Sequence, residues 1–247
     1  MPRSLSIVMA AFDEEDALPA CVARTLDFLR AHIPDGELII VDDGSRDGTP
    51  ALIDRLARAA QPRGAVVALH LERNSGMGAA LLRGFAAARK EWVTIMPADG
   101  QIDAFELLDF FAAAEETGAD LVTSLYRNRQ YSPMRWAMSL GLRALTAAIV
   151  GTRARTEGIY LVRRAVLERL GARSHSFLLN LEIPIRAKRG GYRVETIRMN
   201  VHDRIAGASK ATSAARIKQT FVELFRLRVQ MERERADRLR SRLRGRR

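Results

Sequence analysis

Short apolar runs alternate with helix-patterned stretches through the first half of the chain, and this alternation constrains the fold more than any other feature. Leu5 to Ala10 reads as a first strand. Asp13-Glu14-Glu15-Asp16 then opens a helix with Leu18, Val22, Leu26 and Leu29 on one face. The unit repeats with strand Glu37 to Val41, the turn Asp42-Asp43-Gly44-Ser45, and a helix carrying Leu52, Ile53 and Leu56. A third strand, Ala65 to Leu71, runs through Asn74-Ser75-Gly76-Met77-Gly78 into an Ala/Leu-rich helix ending at Ala88; the fourth is Trp92 to Met96. Helix Ala104 to Glu116 and strand Asp120 to Ser124 make a fifth unit. Strands alternating with helices imply an α/β domain with a mostly parallel sheet covered on both faces. The pattern then loosens into a helix over Trp136 to Val150, strand Thr156 to Val162, helix Leu178 to Lys188 and strand Tyr192 to Val201. A loop to Lys210 precedes one long helix from Ala211 onward. This divides the chain into a domain over residues 1–210 and a helical tail over 211–247.

Ligands of such sheets sit beyond the carboxyl ends of the strands. Three polar clusters fall there: Asp42-Asp43, Asn74 to Gly78, and Pro97-Ala98-Asp99-Gly100-Gln101. A carboxylate at a strand end accepts hydrogen bonds from a base N–H or a ribose hydroxyl, or else closes an Asx-turn. Asp99 is either a solvated turn residue or, with the amide of Gln101, an oxygen ligand for a hard divalent cation. Asn74 to Gly78 lacks the third glycine of a dinucleotide loop and follows the third strand rather than the first. His32, His70, His175 and His202 show no ligand-type spacing.

Charge and cysteine content narrow the setting. No apolar run approaches the ~20 residues that span a bilayer, and the N-terminus enters a strand after one basic residue, so neither a leader nor an anchor is expected. The single Cys21 excludes an internal disulfide and points to a reducing, cytoplasmic compartment, with the thiol buried on the first helix. The formal charge of +11 is concentrated at the end, where Arg226 to Arg247 holds ten Arg against three acids. With Phe221, Leu224, Phe225, Leu227 and Val229 among these cations, the tail has the composition of a helix docking on an anionic membrane surface. A plain solvated helix has the same pattern.

Taken together, Ser6 to Glu15, Ile40 to Thr49, Asn74 to Gly84 and Ala98-Asp99-Gly100-Gln101 resemble the family 2 inverting glycosyltransferases of GT-A, Rossmann-like fold, within them the dolichol/polyprenyl-phosphate mannosyltransferase branch. The resemblance covers roughly residues 4–210. It implies a GDP- or UDP-sugar donor, Mg²⁺ or Mn²⁺, and, as in many members, a lipid-phosphate acceptor; the tail is then expected to attach the protein to the inner face of the membrane, where such an acceptor lies, and no nucleic-acid partner is expected. Ala10, Phe12 and Glu14 match the edge of the nucleotide pocket, Asp42 the carboxylate on the nucleotide, and Gly76 and Ala98 complete the donor-binding set. Asp99 matches the last carboxylate of the Asp-X-Asp metal motif and Gln101 an amide that joins it. Pro97 stands where the first Asp is usual, which removes one carboxylate from the metal. Arg127, Arg135 and Ser139 match a site for the acceptor phosphate, and Arg204 and Lys210 bracket a loop resembling the clamp on the donor diphosphate.

Two other functions stay open on these residues. A hydroxyl acceptor would need a base, and the resemblance puts Glu157 and Glu182 in the segments where GT-A enzymes often place one, although structural or acceptor-positioning roles suit both. Alternatively, Pro97 marks a catalytically silent nucleotide-sugar-binding or scaffold protein whose basic tail binds a partner or nucleic acid. Donor sugar, base, acceptor and oligomeric state are not encoded in the spacing.

Overall fold

The computed structural model describes residues 3–60, 66–127, 141, 146–151, 156–202 and 214–244. The chain divides into two compact units, Met1–Gln130 with Arg155–Ala208 and Tyr131–Ala154 with Ser209–Arg247.

In the first unit, β1 (Ser4–Ala11), β2 (Asp35–Asp42), β3 (Val66–His70), β4 (Trp92–Ile95), β5 (Leu121–Tyr126), β6 (Tyr160–Arg163) and β7 (Val194–Met199) form one sheet in the order β3-β2-β1-β4-β6-β5-β7. All neighbours pair parallel except β6, which runs antiparallel to β4 and β5. The central strands are apolar throughout because both faces are covered: Leu5, Ile7, Val8 and Met9 of β1 and Leu38 to Val41 of β2 are fully buried. The helices are α1 (Leu18–His32), α2 (Thr49–Ala59), α3 (Met77–Ala87), α4 (Leu107–Thr117) entered through a 3₁₀ turn at Ala104–Glu106, α5 (Arg164–Leu170) and α6 (Leu179–Arg189). Pro19 and Pro50 stand in the first turns of α1 and α2, where the missing N–H costs nothing.

Register and alternation show which helix lies where. Gly84 of α3 lies directly over Val8 and Val41, so α3 covers the face carrying Val8. Trp92 pairs with Leu5 and therefore points to the opposite face. There its ring meets Phe111 of α4 edge-on at 6.1 Å. On α1, Phe28 packs in the same manner against Phe105 of the 3₁₀ turn at 5.5 Å.

The sequence pattern placed the sixth strand at Thr156 to Val162; the strand begins only at Tyr160. Glu157 is held out of the ladder by its own contacts, its N–H donating to Ser124 O at 2.9 Å and its Oε2 accepting from Tyr126 N–H at 3.1 Å. Helix α5 follows β6 without a break and was not legible as a separate element. Of the helix expected over 136–150, residues 141 and 146–150 are described and helical. The second unit also holds α7 (Ala214–Arg244), where Arg228 Nη1 donates to Ile149 O at 2.9 Å. On α7, Leu224, Leu227 and Met231 are buried, whereas Val222, Phe225 and Val229 are exposed.

A side chain at position 84 would collide with Val8 and Val41. Gly84→Ala is therefore expected to destabilise the fold by ~1–3 kcal/mol through overpacking, read as a lower denaturant midpoint at unchanged m-value.

Candidate active site

Strands β2, β1 and β4 lie side by side and parallel, so their carboxyl ends open on one edge, with Asp42 opposite Ala11 and Ile95 opposite Val8. Asp42 is 3% exposed; its Oδ1 accepts from Ser45 N–H at 2.9 Å and its Oδ2 lies 3.3 Å from His70 Nδ1. The next residue faces the other way. Asp43 accepts from Ser75 N–H at 2.8 Å and Gly76 N–H at 3.0 Å, joining the β2 turn to the start of α3. Burial pushes the Asp43 carboxyl pKa up, the two N–H donors pull it down, and the neighbouring Asp42 charge adds to a net upward shift. Gly44 adopts φ +70° and abuts the backbone of Arg73 and Asn74, an approach no side chain would allow.

The loop after β1 is locked to the loop after β2 by reciprocal bonds. Asp13 N–H donates to Ser45 Oγ at 3.0 Å while its carboxylate accepts from Arg46 N–H at 2.9 Å. Glu14 N–H reaches Thr49 Oγ1 at 3.0 Å, and Glu15 Oε2 accepts from Gly48 N–H at 2.7 Å. Asp13 holds φ +51° within this clasp, a left-handed conformation that short polar residues tolerate best. Ala10, Phe12 and Glu14 are each partly exposed beside Asp42 and Ser45.

After β4 the chain forms the Pro97–Gln101 turn. Met96 N–H continues the sheet by donating to Val8 O at 2.9 Å, Asp99 Oδ1 accepts from Gln101 N–H at 3.1 Å, and Gly100 takes φ +75°. Two other elements brace it. Cys21 of α1 donates its thiol to Ala98 O at 3.1 Å, and His202 N–H donates to Gln101 O at 2.8 Å. Burial, then the Asp99 and Glu14 carboxylates, push the Cys21 thiol up to about 11. Beneath the turn lies a pocket of about 270 Å³ lined by Cys21, Arg24, Pro97, Gly100 and His202 among others.

β5 ends on the same edge as β4, with β6 between them. Arg127, just past β5, is tied to β7 by Arg127 N–H to Met199 O at 2.8 Å and Nη2 to Arg198 O at 3.1 Å. From β2 to β5 the edge crosses four strand intervals, roughly 20 Å at the usual ~4.8 Å spacing. It thus brings Ala10, Phe12, Glu14, Asp42, Ala98, Asp99, Gln101 and Arg127 to one rim, with Gly76 attached through Asp43. Arg135, Ser139, Arg204 and Lys210 lie outside the described residues.

Glu182, one of the two candidate bases, is 1% exposed. Its carboxylate accepts from Arg186 Nε at 2.6 Å and from the backbone of Arg173 and Ser174 at 3.2 and 2.9 Å. So engaged, it has no oxygen to offer a substrate; it fastens the segment whose residues Ser174 to Ser176 lie against Gly76, just before α3, and Gly78 in its first turn. His70, set aside on spacing, is a site neighbour that pairwise strand register reveals: it stands opposite Asp42.

No cluster of three or more His, Cys, Asp or Glu that could hold a metal occurs among the described residues. The Asp99 carboxylate and the Gln101 side-chain amide stand on one turn and carry hard oxygen atoms of the type that suits Mg²⁺ or Mn²⁺, which would complete its shell with ligand oxygens and water.

The strand order and this rim define a GT-A type fold. Two solved structures share it: glucosyl-3-phosphoglycerate synthase from Mycobacterium tuberculosis with phosphoglyceric acid, at TM-score 0.65 and 21% identity over 92% of this chain and 80% of that one, and a mannosyltransferase from Pyrobaculum calidifontis with GDP-Man and Mn²⁺, at TM-score 0.63 and 20% identity over 89% of this chain and 61% of that one. The model of glycosyl transferase family 2 matches residues 6–171, and the chain belongs to that family. It is 34% identical over 213 residues to undecaprenyl-phosphate 4-deoxy-4-formamido-L-arabinose transferase of Shewanella sediminis (strain HAW-EB3), covering 83% of this chain and 61% of the relative. The chain thus spans about three fifths of that relative's length.

Removing the Glu182 carboxylate breaks a buried ion pair, since Arg186 is 6% exposed and its Nε lies 2.6 Å from Glu182 Oε1. Glu182→Ala is expected to cost ~3–5 kcal/mol, measured by chemical unfolding. With its thiol raised to about 11, Cys21 is expected to resist iodoacetamide at pH 8 in the folded protein and to react on denaturation, followed by mass spectrometry.

Proposed function

We propose that the chain transfers a sugar, with inversion, from a GDP- or UDP-sugar to a polyprenyl phosphate of the undecaprenyl type. The observation that carries this reading is the single rim on which Asp42, Asp99, Gln101 and Arg127 follow one another, long enough for a donor beside an acceptor headgroup. Similarity to an undecaprenyl-phosphate transferase supports the acceptor, and the fold shared with a GDP-Man and Mn²⁺ complex supports the donor and cation. Residues 1–210 are read as the transferase domain and 211–247 as a basic appendage.

In this reading Asp42 accepts hydrogen bonds from the nucleoside, with Ala10, Phe12 and Glu14 forming the wall of its pocket and Gly76 and Ala98 completing it. Asp99 and Gln101 would hold Mg²⁺ or Mn²⁺, which when bound neutralises charge on the donor diphosphate. With Pro97 contributing no ligand, the protein offers few donors of its own, so cation and nucleotide bind together. Arg127, Arg135 and Ser139 hold the lipid phosphate, whose oxygen forms the new bond to the anomeric carbon as the bond to the diphosphate breaks. The phosphate is already anionic and needs no base, in keeping with the engaged carboxylate of Glu182. Arg204 and Lys210 steady the departing nucleoside diphosphate. His202, bonded to Gln101, sets the point from which the chain enters the segment bearing them.

No helix among the described residues is long and apolar enough to cross a membrane. We infer peripheral attachment to the inner leaflet through α7, where exposed Val222, Phe225 and Val229 accompany the arginines of the tail.

Asp99→Ala is expected to abolish Mn²⁺-dependent transfer from UDP- or GDP-sugars to undecaprenyl phosphate, followed by nucleotide release; full activity in the variant would overturn the assignment. A chain ending at Thr220 is expected to lose co-sedimentation with phosphatidylglycerol vesicles. Equal pelleting of both chains would count against the role of the tail.

A further inference from the structure

Strand β3 ends at His70, and parallel pairing sets this residue directly opposite Asp42. The imidazole spans two carboxylates: Nδ1 lies 3.3 Å from Asp42 Oδ2, and Nε2 lies 3.2 Å from Asp54 Oδ1 on α2. A neutral ring donates to one of these and the imidazolium to both. The two carboxylates differ in setting, for the Asp42 side chain is 4% exposed and that of Asp54 47%. The bridge therefore runs from the helix surface to the buried strand end. The other oxygen of Asp42 is held by Ser45 N–H at 2.9 Å, so the carboxylate is gripped at both ends.

We propose that His70 is a positioning residue of the donor site, fixing through its Nδ1 contact with Asp42 Oδ2 the plane in which the Asp42 carboxylate meets the nucleoside. This rests on the reading of Asp42 as a nucleotide ligand. A carboxylate accepts hydrogen bonds best near its own plane, so a rotation of Asp42 misaligns it with the base or ribose. The nucleoside is remote from the reacting anomeric carbon. Loss of this alignment therefore weakens donor binding equally in the ground and transition states, raising KM and sparing kcat.

Two amides separate the contacts, because Asn places its NH₂ near the position of Nδ1 and Gln near that of Nε2. His70→Asn keeps the bond to Asp42 and His70→Gln keeps the bond to Asp54. The expected result is a rise of about tenfold in donor KM for His70→Gln, with kcat within about twofold, as suits one lost bond to a charged group. His70→Asn is expected to stay within about threefold of wild type, since it retains that bond. Dissociation constants for UDP and GDP with Mn²⁺, by calorimetry, should follow the same order. Wild-type donor KM in both variants would overturn the proposal, as would an equal loss of kcat and Tm in both, the signature of a merely structural residue. Asp42→Ala separates the two readings. Unchanged nucleotide affinity in that variant defeats the donor-site assignment itself, whereas lost affinity there with none lost in His70→Gln defeats the role of His70 alone.

Discussion

Everything at the rim depends on the parallel pairing of β1 between β2 and β4. Eight consecutive residue pairs join β1 to β2, and the ladder extends past the strands through Asp43 N–H to Ala11 O and Met96 N–H to Val8 O. These bonds set the relative heights of Asp42 and the Pro97–Gln101 turn. A slip of one residue would turn Asp42 to the opposite face of the sheet and send every other side chain of the strand into the packing of the wrong helix layer. The apolar character of β1 and β2 on both faces holds the sheet as a whole between its helices.

The loops add a second level of order. They are polar and short, yet their backbone groups are satisfied by one another: Asp13 with Ser45 and Arg46, Glu14 with Thr49, Asp43 with Ser75 and Gly76. A segment that uses its own side chains to satisfy neighbouring N–H groups forgoes water and becomes specific in shape. Asp42 and Asp43 show the division of labour. One carboxylate stands at the rim and its neighbour joins two turns together.

The sequence made the first four strands and their helices legible because each is a local pattern: an apolar run, then polar turn residues, then helical spacing. The same locality drew attention to Asp42, at the end of β2, and to Asp99 and Gln101, in the turn after β4. What escaped was set by long-range pairing. Antiparallel β6 and the role of His70 depend on which strand lies beside which, and an isolated histidine gives no hint of a carboxylate 28 residues earlier. Glu182 looked like a possible base because its spacing carries no information about Arg186 Nε, 2.6 Å away, or the N–H groups of Arg173 and Ser174. Family resemblance pointed to Arg127 as well, and the structure places it at the end of β5 on the same edge, although the pairing that brings it there joins distant strands.

The amides of Asp43 and Met96 that prolong the central ladder have a dynamic consequence. Bonds anchored in a fully buried parallel sheet open only with the cooperative unit to which they belong, and so exchange with solvent at close to the rate of global unfolding. The base of the rim is then part of the slowest-exchanging region of the molecule rather than a hinge. In the proposed transfer, accommodation of one sugar or another would not come from spreading these strands, and discrimination between donors would fall to the side chains that the fixed backbone carries.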